Sequence, residues 1–426
     1  MSPLAATAAA SSSVQKAEPK TSAYAWVVLF ALYMATLSAT LNLFKVPPIM
    51  GILIEKFHLT DGQAGFLMSV FSVMGFVLAI PAGYILKRFG IKMTGLIAVG
   101  SLVIGSSLGA LAATSLSQLF FGRFIEGIGM GLIMVTSPFA ISVWFPFHNR
   151  ALPMGLWASS VGIGNVVTLL VAPSMAVSHE WQSVWWATAG FSALAFVLFA
   201  AMFRMPKQVE MSAEPAPAPA TQEKPPSLLM GMANRSLWMI AISFGCYNLV
   251  VMAMCSWLPR FLLKFSGYVS YFDKGVLLHA GFVTALIMAA SIFSGPGGGR
   301  LADWLGRKKI MILIPYILMT LTFFFPFTAT GMMIPIWMLV FGIVGGPLAP
   351  VLLAAVPEVS ESPSLIGIGM SVAAVGQNIG MFIGPALFGS ILDKLGNGAG
   401  AYAVAGYWMI PICVAGIIAT CFIKVR

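Results

Sequence analysis

Two ionisable residues, Arg123 and Glu126, lie inside an apolar stretch that reads LFFGRFIEGIGMG. Three helical positions bring a side chain back to within about 60° of the first, so the two residues share a face and can form an ion pair. An unpaired charge in such surroundings costs several kcal/mol, and Arg123 must therefore meet a partner or a cavity. We interpret Arg123 as a binding residue for an anion and Glu126 as a proton site. Two alternatives stay open: an arginine that braces helices through backbone carbonyls, and a static Arg–Glu pair.

A third charge, Lys45, lies near the end of the first apolar stretch, in TLNLFKVPP. At 1.5 Å per residue it is about 28 Å along a helix from Trp26. A lysine at that depth either lines a binding cavity or extends its ammonium group to the nearby membrane surface. We include it as a second binding residue.

Uncharged polar side chains within apolar stretches add further candidates for binding. Polar groups are disfavoured where a helix faces lipid, so some of them should line an internal pathway, and the rest should bond neighbouring helices. They are Asn165, Gln377, Asn378, Tyr247 and Asn248. The four histidines and four cysteines are dispersed, and we predict no metal site and no cofactor.

The composition indicates a protein that spans a membrane several times. Only 8% of the residues are charged, 59% are hydrophobic and the mean hydropathy is +0.93. The net charge of +10 does not indicate nucleic-acid binding, because most of the basic residues lie at the ends of apolar stretches. There they set orientation in the bilayer.

Twelve apolar stretches are long enough to cross a bilayer at about 17 to 25 residues each. They begin near Tyr24, Gln63, Met93, Leu116, Leu152, Ser183, Leu237, Gly275, Ile310, Met333, Leu365 and Tyr402. The predicted fold is all-α, with two six-helix bundles. The predicted divisions are a disordered tail over 1–23, a first bundle over 24–203, a Pro-rich linker over 204–236, a second bundle over 237–423 and a short end over 424–426.

The basic residues predict the orientation. With both termini in the cytoplasm, 16 of the 23 Lys and Arg residues fall on the cytoplasmic side and five outside, and Lys45 and Arg123 remain within spans. This excess agrees with the rule that cytoplasmic loops are positively charged. We expect an integral protein of the plasma (inner) membrane.

The two halves repeat each other. GYILKRFGIK, from Gly83 to Lys92, recurs 216 residues later in GRLADWLGRKK, from Gly299 to Lys309. Other matches have offsets near 212, including Asn165 with Gln377, and Lys45 with Trp257. The second match predicts a cation and an aromatic wall at the outer end. In transporters built from such repeats, the binding site lies where the halves meet.

The GRLADWLGRKK stretch resembles the loop that joins spans two and three, or eight and nine, of major facilitator superfamily transporters. The string around Arg123 is similar to a second signature of that family, in which the arginine is implicated in handling substrate or protons. The resemblance implies transport by alternating access. FPFHNRALPMGLW is similar to the nitrate, nitrite and cyanate porter branches.

The first loop copy has Lys87 where the family has an aspartate that helps to hold the cytoplasmic side closed. By the symmetry of the two bundles, the loop that contains Lys87 should face span eleven, and the loop that contains Asp303 should face span five. We therefore predict swapped ionic partners in a cytoplasmic gate: Lys87 with Glu358 or Glu361, and Asp303 with Arg150 or Arg307. The alternative is that Lys87 is simply one more charge on the cytoplasmic side.

These features predict a secondary transporter that moves a small anionic solute, coupled to protons as a symporter and working as a monomer in the bilayer. Proton-coupled efflux of a hydrophobic or cationic compound is an alternative, although the Gly-Pro-x-x-Gly-Gly signature of drug antiporters is missing from GIGNVVTLLVAP. A membrane sensor that does not transport would share all these features. An enzyme would need several convergent catalytic groups within the spans, and we expect none.

Overall fold

The computed structural model describes residues 22–79, 81–112, 115–145, 151–206, 234–268, 279–325, 327–360, 365–396 and 398–425. The regular structure in these ranges is helical. The predicted linker lies mostly outside them, and its flexibility stays a prediction.

The first half consists of six spans. Span 1 is broken into Tyr24–Phe44 and Met50–Phe57 by a 3-10 turn at Pro47–Ile49. Spans 2 to 6 are Asp61–Leu78, Pro81–Ala110, Leu116–Trp144, Ala151–His179 and Gln182–Met202. Span 3 is kinked at Gly90, whose φ of 75° favours glycine, so the start predicted at Met93 falls just after the kink.

The second half repeats this plan. Spans 7 to 9 are Arg235–Phe265, Ala280–Leu305 and Lys308–Thr322, and span 11 is Ile366–Leu395. Span 10 is broken into Met333–Gly345 and Leu348–Val359, and span 12 into Ala399–Tyr407 and Met409–Cys421. Among the described residues, eleven spans are long and apolar enough to cross a membrane, and span 9, with 15 helical residues, completes the twelve that the repeat requires.

Contacts between helix ends identify the two ends of the molecule. Tyr24 donates a hydrogen bond to the carbonyl of Met202, and Lys309 donates to the carbonyl of Cys421. The start of span 1, the end of span 6, the start of span 9 and the end of span 12 therefore lie at one end, which we call the terminal end. Asp61 and Asp393 lie at the other, which we call the far end.

Glycines bring spans 7 and 11 into close contact. Gly376, Gly380 and Gly384 follow one another at intervals of four on span 11, and a Cβ on any of them would collide with the main chain of span 7. Small residues at this spacing let two helix backbones approach closely in a membrane.

The two bundles meet through spans 2 and 11 and through spans 5 and 8. From the far end to the middle these faces touch: Gly65 packs on Pro385, and Gly162 packs on Ile292. Near the terminal end, Gly155 lies on the same face of span 5 as Gly162, yet among the described residues nothing is within 4 Å of a Cβ placed there. The bundles are therefore closed at the far end and diverge toward the terminal end.

Candidate functional site

The break in span 1 creates the binding place for Arg123. Proline has no N–H, so Pro47 cannot satisfy the carbonyl of Leu43, four residues earlier. Arg123 donates to this carbonyl at 3.4 Å and to that of Asn42 at 2.6 Å. A cation at the carboxyl end of a helix is also favoured by the helix dipole. Arg123 therefore stabilises an interrupted helix.

Glu126 lies between two cations. One carboxylate oxygen accepts a hydrogen bond from Arg123 at 2.7 Å, and the other accepts one from Lys45 at 2.6 Å. All three side chains have a relative exposure of 0%. In the described part of the chain these two basic side chains share this one carboxylate, so the group, which we call the charge cluster, has a formal net charge of +1.

Neutral polar groups surround the charge cluster on three helices. Lys45 also donates to Asn42 and Ser106, both at 2.8 Å, and to Thr188 at 3.2 Å. Ser106 of span 3 contacts Glu126 at 3.0 Å. The cluster is thus held by spans 1, 3, 4 and 6, inside the first bundle.

The position of Lys45 excludes the alternative in which its ammonium group extends to the membrane surface. Glu126 and its polar neighbours bind the ammonium group inside the bundle. Its aromatic neighbour is Trp185, with the ammonium group 4.7 Å from the ring centroid. Trp257, its counterpart in the repeat, donates to the carbonyl of Pro385 at 2.9 Å in the second bundle.

The predicted ion pair between Arg123 and Glu126 is confirmed. The bracing role, which was the alternative for Arg123, is also present, because the guanidinium bonds to two carbonyls of span 1. It lies 4.6 Å from the ring of Phe71 on span 2 as well. One arginine thus ties span 4 to spans 1 and 2.

Asn165 of span 5 is an unsatisfied polar group. It is buried, and neither amide atom has a hydrogen-bond partner within the described ranges. Two glycines show what this face of span 5 contacts: Gly164 packs on Thr40 of span 1, and Gly162 packs on Ile292 of span 8. Because helical residues are about 100° apart, the side chain of Asn165 points between these two contacts. The amide therefore faces the place where span 1 meets the second bundle.

Gln377, its counterpart in the repeat, is half-buried on span 11. It points away from Ile379 and Ile383, which are exposed on the outer face of that helix. Asn378 donates to the carbonyl of Ala374 and lies against Gly75 of span 2. Both residues are therefore near the contact between spans 11 and 2.

The two candidates on span 7 are buried. Tyr247 stacks on Phe244, with ring centroids 6.5 Å apart, and its ring faces Gly345 of span 10. Asn248 donates to the carbonyl of Phe244 at 2.9 Å. The structure does not join these residues to the charge cluster.

The predicted gate at the terminal end is described only in part. Arg150 and Glu361 lie outside the described residues, as do the side chains of Lys87 and Asp303. Arg307 is exposed at the start of span 9. Glu358 is paired with Lys308 at 2.5 Å, a partner that the sequence analysis did not consider. The swapped pairs stay a prediction.

The far end carries a charged contact that the sequence analysis missed. Asp61 of span 2 pairs with Arg260 of span 7, and Asp393 of span 11 accepts hydrogen bonds from the first amides of span 2. Glu126 is therefore not the only acid that lies in a helix among the described residues. The helices run past the apolar stretches, so Asp61, Arg260 and Asp393 belong to helices.

The neutral partners of the charge cluster were also missed. Asn42 is three positions before Lys45, which places both on one helix face, and this spacing was a usable signal. Ser106 and Thr188 gave no signal, because serine and threonine are common within spans and can equally bond to a carbonyl of their own helix. Among the described residues, no three His, Cys, Asp or Glu side chains form a metal site.

Comparison with known proteins now decides the family. The chain matches the Major Facilitator Superfamily over residues 32–278 and 277–426, which together include every residue of the charge cluster. The chain belongs to the Major Facilitator Superfamily. It is therefore an integral membrane transporter and not an enzyme.

Three curated bacterial relatives, all from Bacillus subtilis (strain 168), are similar over much of their length. The uncharacterized transporter YybO is 23% identical, with 84% of this chain and 85% of the relative covered. The hexuronate transporter is 24% identical, with 83% and 84% covered. The nitrite extrusion protein is 28% identical, with 60% of each covered.

A solved structure shares the fold. It is a bacterial homologue of the human lysosomal transporter Spinster in an inward-facing, occupied conformation. The TM-score is 0.73 and the identity is 16%, with 94% of this chain and 96% of that chain covered. The twelve-helix superfamily architecture is thus confirmed.

The ion pairs of the charge cluster predict how substitutions there change the free energy of unfolding. Glu126→Leu leaves two buried cations without a carboxylate, and we expect it to lower the free energy of unfolding by about 3–5 kcal/mol. Adding Lys45→Met should recover part of this loss, with a coupling energy of about 0.5–3 kcal/mol. Unfolding in detergent measures both. Glu55→Gln, at an exposed acid, is the control, and strictly additive losses would show that the two side chains do not interact.

Proposed function

We propose that this transporter moves a small organic or inorganic anion together with a proton, and that the charge cluster couples the two. The observation that carries the proposal is the fully buried carboxylate of Glu126 between Arg123 and Lys45. A cavity of low dielectric constant with excess positive charge favours an anion.

The coupling follows from charge. While Glu126 is ionised it occupies both cations, and an incoming anion would have to compete with it at the same guanidinium. When Glu126 takes up a proton, the charge of the cluster rises from +1 to +2 and Arg123 becomes free to bind the solute. The proton and the anion then enter together, and the loaded cluster again has a charge of +1.

The surroundings of the cluster support this role. Arg123 touches spans 1 and 2, and these spans meet the second bundle at the far end. The cluster is covered in the present conformation. Separation of the bundles at the far end would uncover it, as alternating access between two rocking bundles requires.

We propose that both termini lie in the cytoplasm of a cell whose plasma membrane holds the protein as a monomer. The far end is then the outer end, and the present conformation faces inward. This agrees with the basic residues near the terminal end and with the inward-facing state of the similar solved structure.

The buried amide of Asn165 supports a binding place between the bundles. An unsatisfied buried amide is costly, and a solute that offers a donor and an acceptor would satisfy it. Gln377, Asn378, Tyr247 and Asn248 are proposed to line the same pathway from the second bundle.

The relatives support an anion as the solute. One is named as a transporter of hexuronate and one as a nitrite extrusion protein, and both of these solutes are anions. A thermal-shift screen of anions against the purified protein tests the solute class, because a ligand of the folded state raises its stability. Stabilisation by hydrophobic cations with no effect of any anion would instead favour efflux of such compounds.

A transport assay distinguishes a carrier from a sensor that binds the solute without moving it. The wild-type protein in proteoliposomes should exchange an anion identified by the screen, whereas a sensor would bind it and exchange none. We expect Arg123→Lys to weaken binding, because a point charge loses the forked geometry of the guanidinium. Arg123→Gln should cost about 2 kcal/mol of binding or more. Arg88→Gln, at an exposed arginine, is the control, and full activity of folded Arg123→Gln protein would leave only the bracing role.

Glu126→Gln tests the proton site. The amide still accepts a hydrogen bond but cannot ionise, so the protein should exchange the anion across the membrane without accumulating it against a gradient. The measurement compares counterflow with uptake driven by a pH gradient in the same vesicles. Accumulation at the wild-type level would exclude Glu126 as the proton site.

For the terminal end we propose a gate with Lys87 bound to Glu358 or Glu361 and Asp303 bound to Arg150 or Arg307. In the present conformation Glu358 is paired with Lys308, so it would exchange partners when this end closes. Each exposed pair is worth under about 1 kcal/mol. Lys87→Glu should slow transport and Glu358→Lys should restore part of it. No recovery with Glu358→Lys or with Glu361→Lys would show that this gate does not exist.

A further inference from the structure

The far end of the molecule is joined by a charged contact between the bundles. The carboxylate of Asp393 accepts hydrogen bonds from the backbone N–H of Asp61 at 2.7 Å and from that of Gly62 at 2.8 Å. The side chain of Asp61, almost fully buried, pairs with Arg260. Asp61 and Gly62 begin span 2 of the first bundle, whereas Asp393 and Arg260 belong to spans 11 and 7 of the second.

Asp393 caps a helix that is not its own. The first four N–H groups of a helix have no partner within it, and its amino end attracts negative charge. In span 2 the N–H of Gln63 is satisfied locally by the hydroxyl of Thr60. The two preceding N–H groups are satisfied by Asp393, from the other bundle. Separation of the bundles at this end must therefore leave both groups without this acceptor.

Small residues make this contact possible. A Cβ at Gly62 would lie 2.8 Å from a carboxylate oxygen of Asp393, and a Cβ at Gly389 would lie 2.6 Å from the ring of Trp257. Asp61 is thereby held between spans 11 and 7. The geometry is specific to these residues and is not a loose encounter of surface charges.

We propose that Asp393, Asp61 and Arg260 form a latch that holds the pathway shut at the far end and opens once in every transport cycle. Asp393 is the positioning residue of this latch, because it holds the start of span 2 against span 11. The inference rests on the rocking of two bundles in the proposed function. It does not depend on which solute or which coupling ion is carried.

At the terminal end the loop sequence departs from the family pattern, because Lys87 stands where the family has an aspartate. The latch is at the opposite end. The charged contact at the far end favours the conformation that is closed at the far end. Weakening the latch should therefore shift the population toward the opposite conformation, in which the terminal end is closed.

Hydrogen exchange followed by mass spectrometry tests the latch without any solute. We expect Asp393→Asn to raise the exchange rate in peptides covering 60–66 by about tenfold or more, because the neutral amide is a weaker acceptor. The decisive readout is at the other end: peptides covering 152–160 and 366–372 should become better protected, because the bundles approach each other there.

The variants separate a latch from a local cap. Asp393→Glu keeps the charge and should lie between wild type and Asp393→Asn at both ends, and Asp61→Asn should act in the same direction as Asp393→Asn. Glu55→Gln, an exposed acid near the same end, should leave both regions unchanged. Faster exchange confined to 60–66, with no added protection at the terminal end, would overturn the proposal.

A folding defect gives a different result. It would lower the unfolding temperature and raise exchange in both bundles, and in that case the Asp393→Glu and Asp61→Asn variants decide. If neither variant changes hydrogen exchange at the far end relative to that at the terminal end, the latch is excluded. Failure of the proposed function would appear in the transport assays alone, because the exchange experiment uses neither an anion nor a proton gradient.

Discussion

The structure depends on the burial of three charges in a bundle that excludes water. Two cations and one carboxylate persist there only because each is bonded on several sides, by one another, by neutral side chains and by main-chain carbonyls. Those bonds require four helices to converge on one point. The break in span 1 contributes to this, because Pro47 leaves the carbonyl of Leu43 without its helical donor and Arg123 bonds to it. The bonds to these three charges therefore determine both how the first bundle packs and which groups are available for binding within it.

Much of the fold could be predicted from the sequence because membrane spans follow from length and hydropathy. The starts predicted at Tyr24, Leu116 and Met333 agree with the helices to the residue. The far-end contact could not be predicted in this way. Asp61 and Asp393 are 332 positions apart, and only the packing of span 2 against span 11 brings them together. Hydropathy also placed the start of span 2 at Gln63, whereas the helix begins at Asp61, because a helix can continue beyond its apolar stretch.

Part of the candidate site could likewise be predicted from the sequence, and part of it could not. The spacing of Arg123 and Glu126 sufficed to predict their ion pair, since three helical positions fix a common face. The position of Lys45 along span 1 could be predicted, but its surroundings were left open, because depth along a helix does not say which way a side chain turns. Its direction is set by Ser106 and Thr188 on spans 3 and 6. Such neutral partners are too common in membrane helices to be recognised before the helices are assembled.

The close contact between spans 7 and 11 has a mechanical consequence. Glycines at three successive turns let the two backbones touch, with no side chain of span 11 between them at those turns. We therefore expect spans 7 and 11 to move together. Any rotation of this pair would displace Arg260 and Asp393 together, so their bonds to the start of span 2 would break in one event.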